Sequence, residues 1–306
     1  MTYSIVARCP DTGDLGVAVQ SHFFGVGAVV PWLEAGVGAV ATQATAEVSH
    51  GPDCLSGLRA GRAPQDALDQ VLARDAQAAV RQVGVVDARG AVAVHTGATC
   101  IAHAGHVVGP GFTVQANMMA AAGVPEAMAA AFTAAPGMLA LRLLDALDAA
   151  EALGGDIRGR QSAALVMVRG EPVDRPGHDR LVDVRVDDHG DPLGELRRLV
   201  GLSLAYRSMD EAEEAMTSGD LATAQAIYAR SIAQQPANVE FPFWQAVLLV
   251  GLGREAEARS VIAPVLAGAD GERWRELVRR LPAADLLAAE AAAALLMPSV
   301  SSPDGT

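Results

Sequence analysis

Strand-length apolar runs and helix-length stretches alternate in pairs through the first two thirds of the chain, and the pattern stops at Pro192. A chain patterned this way buries its strands only by stacking sheets on each other and covering them with helices. Residues 3–7 and 15–19 are β-branched runs around the turn Asp11-Thr12-Gly13-Asp14, which predicts a hairpin. Gly-rich apolar runs at 26–30 and 37–41 suit strands buried on both faces. Helices are expected at 52–60 and from Pro64, then a second hairpin at 81–87 and 91–95 around Ala88-Arg89-Gly90. The stretch 125–153 reads as helix, split at Pro136-Gly137 and closed by Gly154-Gly155, with strands at 163–169 and 181–186 after it. The expected class is α+β, two stacked sheets with helices outside, over residues 1–195.

Residues 196–299 are different: Ala, Leu, Glu and Arg at helical period, without histidine. Gly219-Asp220-Leu221, Ala224, Tyr228, Ser231-Ile232 and Pro236 hold the small, aromatic and proline positions of one tetratricopeptide repeat. A looser copy follows with Trp244, Gly253, Ala256 and Ala258, and Trp274 falls on an expected capping helix. Such repeats need about three copies to bury a continuous core. This all-α domain is therefore expected to lean on the first domain or on another subunit, and so to bind a protein partner or hold a homo-oligomer together. Residues 300–306 are expected to be a disordered tail.

Composition removes several chemistries. Formal net charge is −13, which argues against nucleic acid, and all 23 cations are Arg because the chain has no lysine. Walker P-loops, Schiff-base enzymes, Ser-Lys hydrolases and kinases all require that ε-amine. Cys9, Cys54 and Cys100 have no CxxC spacing, so they read as small core residues in a reducing compartment. With no signal-like leader and no long uninterrupted apolar run, a cytoplasmic protein off the membrane is expected. Cys100-x-x-His103-x-x-His106 has zinc-ligand types but no fourth ligand nearby, so neither metal nor cofactor is expected.

Thr2 is the first candidate for chemistry. Removal of Met1 would make it an N-terminal threonine, whose hydroxyl attacks while its own α-amine, with a pKa of roughly 7.7–8.0, takes the proton. A Met-Thr start also occurs with no chemical role, and that reading stays open here. Asn117 is the single Asn in the sheet domain, the other being Asn238, and is a candidate oxyanion donor or an Asn bonding its own turn. Ser21 or Cys100 with His95 as base would be a second nucleophile arrangement. Asp156, Arg158 and Gln161, in Gly154-Gly155-Asp156-Ile157-Arg158-Gly159-Arg160-Gln161-Ser162, put an anion, guanidinium groups and an amide in one Gly-rich loop, which suits substrate binding. Asp187-Asp188-His189-Gly190-Asp191 could grip a cation or a substrate amine, or cap a helix beginning at Pro192.

Ser4-Ile5-Val6-Ala7-Arg8, Gly16-Val17-Ala18-Val19-Gln20-Ser21, the run from Gly36 to Thr42-Gln43, His95-Thr96-Gly97, the Gly154 to Ala163 string and Arg185-Val186-Asp187-Asp188-His189 together resemble the bacterial family called domain of unknown function 1028. The resemblance covers residues 1 to about 195. It implies an Ntn-hydrolase-like four-layer αββα sandwich related to proteasome β-subunits, with Thr2 as nucleophile acting on an amide bond in a small molecule or short peptide. It also places Thr42, His95, Asp187 and His189 among the substrate-binding candidates. Glu47 and His50 stand where the family pattern leads one to expect Asn and Tyr. Proteasome-type sites set a lysine beside the threonine. Here either Arg8, Arg158 or Arg160 takes that place, where Arg tunes electrostatics without shuttling a proton, or the α-amine works unassisted, as in the penicillin-acylase branch of such enzymes. The alternative is a catalytically inactive Ntn-like scaffold that works through its helical tail.

Overall fold

A computed structural model of the chain describes residues 2–174 and 177–297. It divides between Gly201 and Leu202 into two compact units. In the first, β1 (Thr2–Arg8) and β2 (Leu15–Ser21) form the expected hairpin. The expected strand at 26–30 is instead a short 3-10 turn, Val26–Ala28, entered through Gly25 at φ 64°. The strand comes later, as β3 (Pro31–Glu34), which pairs with β4 (Gly38–Ala44). Gly25 supplies the left-handed residue that turns the chain, and Gly27 lets it lie close against Ala164, which a Cβ there would meet at 2.6 Å.

Helices α1 (His50–Arg59) and α2 (Pro64–Leu72) follow, then the hairpin β5 (Arg81–Asp87) and β6 (Val92–Thr96). A further hairpin, β7 (Gly105–Gly109) and β8 (Phe112–Asn117), occupies a segment for which no strand was expected. Helices α3 (Val124–Ala134) and α4 (Leu139–Ala152) are split where Pro136-Gly137 predicted, and β9 (Ser162–Val168) and β10 (Arg180–Val186) complete the strands. Helix α5 (Pro192–Thr217) runs across the division between the units, and across the boundary expected after residue 195.

The strands make a six-stranded sheet, β10-β9-β2-β1-β8-β7, and a four-stranded sheet, β3-β4-β5-β6, with every pairing antiparallel. Helices α1 and α2 cover the smaller sheet, α3 and α4 cover the larger, and the free faces of the sheets meet. The four layers are αββα. Alternation along β1 assigns its faces: Thr2, Ser4 and Val6 point to the other sheet, while Tyr3, Ile5 and Ala7 point to the helices. Half of the sheet-to-sheet interface is ordinary core, built from Val6, Leu15, Val17, Val19, Ala39, Ala41, Val86 and Val168. The other half, at the start of β1, is polar.

The second unit holds α6 (Leu221–Gln234), α7 (Glu240–Gly251), α8 (Glu255–Ala267), α9 (Gly271–Arg280) and α10 (Ala289–Leu296). Asp220 caps α6 by accepting the Thr223 N–H at 3.1 Å. One apolar cluster joins the end of α5 to α6 and α7 through Met209, Tyr228 and Phe241. Another joins α7 through α10 around Phe243, whose ring lies 5.1 Å from Trp244 and 4.9 Å from Trp274. Among the described residues no helix is long and apolar enough to cross a membrane. The expected disordered tail, 300–306, lies outside the described residues.

Candidate active site

Thr2 opens β1 between β2 and β8, facing the smaller sheet, and is 4% exposed. Its Oγ1 donates to Ser21 Oγ at 3.1 Å. Its carbonyl accepts from two side-chain amides, Gln43 Nε2 of β4 and Asn117 Nδ2 of β8, each at 3.2 Å. Those amides share one acceptor: both donate to Gln82 Oε1 at 2.8 Å. Gln82 Nε2 in turn donates to Thr96 Oγ1 at 2.9 Å and to the carbonyls of Ala116 and Gly105 at 2.9 and 3.1 Å. One layer deeper, Ser4 Oγ donates to Gln43 Oε1 and accepts from Gln115 Nε2, both at 2.6 Å. The network draws members from both sheets, so the residue at the start of β1 is fixed by strands far apart in sequence. Gly84 makes room for it, because a Cβ there would stand 2.4 Å from Gln115 Oε1.

The loops that follow these strands gather at the same end. Asp156 is buried and accepts from the His22 N–H at 3.1 Å, the Arg158 N–H at 3.0 Å, and Arg158 Nε and Nη2 at 3.1 and 2.8 Å. Burial pushes its carboxyl up, but those donors outweigh burial and hold it below the usual aspartate range. Met118 bridges two further loops, its N–H donating to the Ile101 carbonyl at 2.9 Å and its carbonyl accepting from Ile157 N–H at 3.2 Å. Behind Thr2, on the helix side, Tyr3 donates its hydroxyl to Glu151 at 2.7 Å. Burial first, and the Glu151 charge second, hold that phenol un-ionised well above its ordinary range.

Residues 2–196 match the family of unknown function DUF1028. The chain belongs to that family. Residues 215–281 of this DUF1028 protein match a tetratricopeptide repeat. The crystal structure of protein SPO2555 from Silicibacter pomeroyi, also a DUF1028 protein, is similar at 34% identity and a TM-score of 0.59, over 65% of this chain and 84% of that one. Among curated proteins none matches.

Within the DUF1028 domain the structure brings together Thr2, Ser21 and Asn117, and places the Asp156–Arg158 loop beside the end of β2. Roles within that group change. Both Nδ2 contacts of Asn117 go to protein acceptors, so it positions Thr2 and is not poised as an oxyanion donor. Asp156 is filled by loop donors, which makes it a fastener of the 156–158 turn instead of a substrate ligand.

Asp187 and His189 lie on the loop after β10 at this end of the larger sheet. The Asp187 carbonyl accepts from Gly25 N–H at 3.0 Å, and His189 Nδ1 accepts from Asp191 N–H at 3.0 Å just before α5. Gln161 donates to Asp188 at 3.2 Å. The helix-start reading fits these contacts, and the described residues hold no cluster suited to a metal ion.

Two candidates stand elsewhere. Thr42, Val83 and His95 are in register across β4, β5 and β6, and Val83 packs against α1 and α2, so all three face the helix layer. Thr42 donates to the Glu47 carbonyl at 3.0 Å and His95 Nε2 contacts the Ala78 carbonyl at 2.8 Å, both structural bonds. His95 therefore cannot serve Ser21 as a base, and the Cys100 thiol donates to the Arg81 carbonyl at 3.4 Å. Arg8 sits at the far end of β1 on the Ala88 carbonyl, about 20 Å from Thr2 at strand spacing. Arg160 is engaged by Glu151 and Asp191.

Sequence reasoning missed Gln43, Gln82, Gln115 and Ser4. The signal was present in Thr113-Val114-Gln115-Ala116-Asn117, where polar residues alternate strictly with apolar ones. Such alternation ordinarily marks a solvated face. Here the polar face meets another sheet.

Proposed function

We propose that this protein is an Ntn-type hydrolase that cleaves an amide bond in a small molecule or short peptide, with Thr2 as nucleophile after removal of Met1. The supporting observation is the fixing of Thr2: a buried hydroxyl on Ser21 and a carbonyl held by Gln43 and Asn117, at the polar end of the two-sheet interface. In this reading Oγ1 attacks the substrate carbonyl carbon while the freed α-amine takes its proton. The amine product leaves, and water then releases the acyl group from Thr2. Ser21 orients the hydroxyl. Lacking lysine, the site relies on the α-amine alone as base. The enzyme works in the cytoplasm, without cofactor.

The helical unit takes the partner-binding or self-association role. A groove of about 810 Å³ bounded by Tyr228, Trp244, Leu248, Leu286 and Glu213 supports that part.

Intact-mass measurement and N-terminal sequencing of purified protein test the chemistry, together with turnover of a panel of small amides and dipeptides. The expected result is a chain beginning at Thr2 whose activity disappears in Thr2→Ala. Active protein that retains Met1 overturns the reading, because a peptide-bonded nitrogen is no base.

A further inference from the structure

The loops around Thr2 present an unusual surface. Phe23 is 52% exposed, Phe24 68%, Ile101 54% and Ile157 63%. The chain has six phenylalanines, and the other four, Phe112, Phe132, Phe241 and Phe243, are all buried. Leaving adjacent aromatic rings in water has a free-energy cost that a contact partner removes.

Phe23, Ile101 and Ile157 are each tied to the Thr2 site by a short bonded path, and Phe24 follows Phe23 in the chain. The Phe23 carbonyl accepts from Ser162 Oγ, and Ser162 is in register with Ser21, which holds the Thr2 hydroxyl. Ile101 and Ile157 are both bonded to the backbone of Met118, the residue after Asn117, which pairs with Thr2. The His22 N–H to Asp156 bond then joins the Phe23 loop to the Ile157 loop. Four exposed apolar side chains on three loops thus lie at the end of the larger sheet where β1 begins. The carboxylate among them, Asp156, already has its oxygens occupied.

We infer that this apolar rim receives a large uncharged acyl group of the substrate, so that the amide cleaved is that of a medium-chain or aromatic acyl compound. The inference rests on the proposed site at Thr2 and specifies its substrate class. Asp156, its oxygens already occupied, offers no ionic partner to a cationic acyl group, whereas an apolar one covers Phe23, Phe24 and Ile157 as it brings its carbonyl to Oγ1.

The test separates binding from chemistry. N-octanoylglycine and N-acetylglycine, which share a head group, are titrated by calorimetry into full-length Thr2→Ala. The octanoyl compound should bind about tenfold or more tightly, since each buried methylene favours it. The preference should fall to less than about threefold in a Phe24→Ser/Ile157→Ser variant whose melting temperature matches its parent, as expected for exposed sites. Equal affinity for the two compounds overturns the inference. So does an unchanged preference in the rim variant; if that variant also forms a smaller assembly than its parent by light scattering, the rim belongs to a second copy. Failure of the Thr2 chemistry would show differently: wild-type protein would bind the octanoyl compound and leave it uncleaved.

Discussion

Removing the Gln82 side chain should cost the first unit more stability than any surface change, because that amide is the shared acceptor for Gln43 and Asn117. In Gln82→Ala the Asn117 amide loses its 2.8 Å acceptor and keeps only the Thr2 carbonyl, whereas Gln43 Nε2 keeps the Thr2 and Gln115 carbonyls, each at 3.2 Å. At about 1–3 kcal/mol for the one buried N–H left unsatisfied, the loss is about 2 kcal/mol. For a unit of this size about 2–4 °C of melting temperature accompanies each kcal/mol, so a fall of about 4–8 °C is expected. Gln82→Met separates hydrogen bonding from packing, since it nearly conserves volume and removes both polar atoms. Most of the loss should persist in it. Calorimetric melting of the full chain gives the magnitude, and amide exchange at Val83 and Val85 assigns it to the β5 region. A Gln82→Met protein within about 0.5 kcal/mol of wild type would refute the reasoning, because it would show that the orphaned Asn117 donor finds another partner at little cost.

Asp156→Asn should destabilise the protein near neutral pH by about 1–3 kcal/mol through weakened bonds to His22, Arg158 and their backbone. Because the folded carboxyl is held below its ordinary value of 3.8, this contribution is present above that value and lost as pH falls through the lower folded value, so urea midpoints of mutant and wild type should converge in acid. His50 is buried with its imidazole 3.2 Å from Asp75. The carboxylate favours the charged form, yet burial outweighs it and lowers the pKa from 6.5, so stability contributed by neutral His50 is present above pH 6.5 and declines below it. His50→Gln should flatten that decline in urea titrations, and an unchanged slope would count against a buried neutral imidazole.

Much of the fold was legible because its local signals agree with its tertiary pattern. Turns at Gly13 and Gly90, Pro64 at a helix start and Pro136-Gly137 at a helix break each act within a few residues. The errors came where tertiary contact reverses a local cue. Residues 26–30 carry a strand composition, but Gly25 and Gly27 let the backbone turn against β9. The β7–β8 hairpin was hidden because its Thr, Gln and Asn residues look solvated and lie against the amides of another sheet. For the site, Thr2, Ser21 and Asn117 were readable as residue types, Asn117 because the sheet domain has no other asparagine, while the family resemblance implied the nucleophile role of Thr2. Nothing local distinguishes Thr42, which faces helices, from Gln43, which faces Thr2, except the parity of one strand.

That parity bears on why half of the sheet interface is polar. Val and Ala fill the half near Arg8, and the same two sheets could be held together throughout by such residues at lower desolvation cost. The half near Thr2 uses Ser4, Gln43, Gln82, Gln115 and Asn117 instead, and their amides form an unbroken chain of bonds across both sheets. An apolar contact tolerates sliding by fractions of an ångström, whereas a side-chain amide with defined donors and acceptors does not. Two such amides close on one carbonyl, that of Thr2, and fix the first residue of a strand at the point where a chain is ordinarily free to fray. Adhesion between sheets needs no such device. Holding one hydroxyl in one place, next to Ser21 at the sheet end where the loops of Phe23, Ile101 and Ile157 are bonded, does.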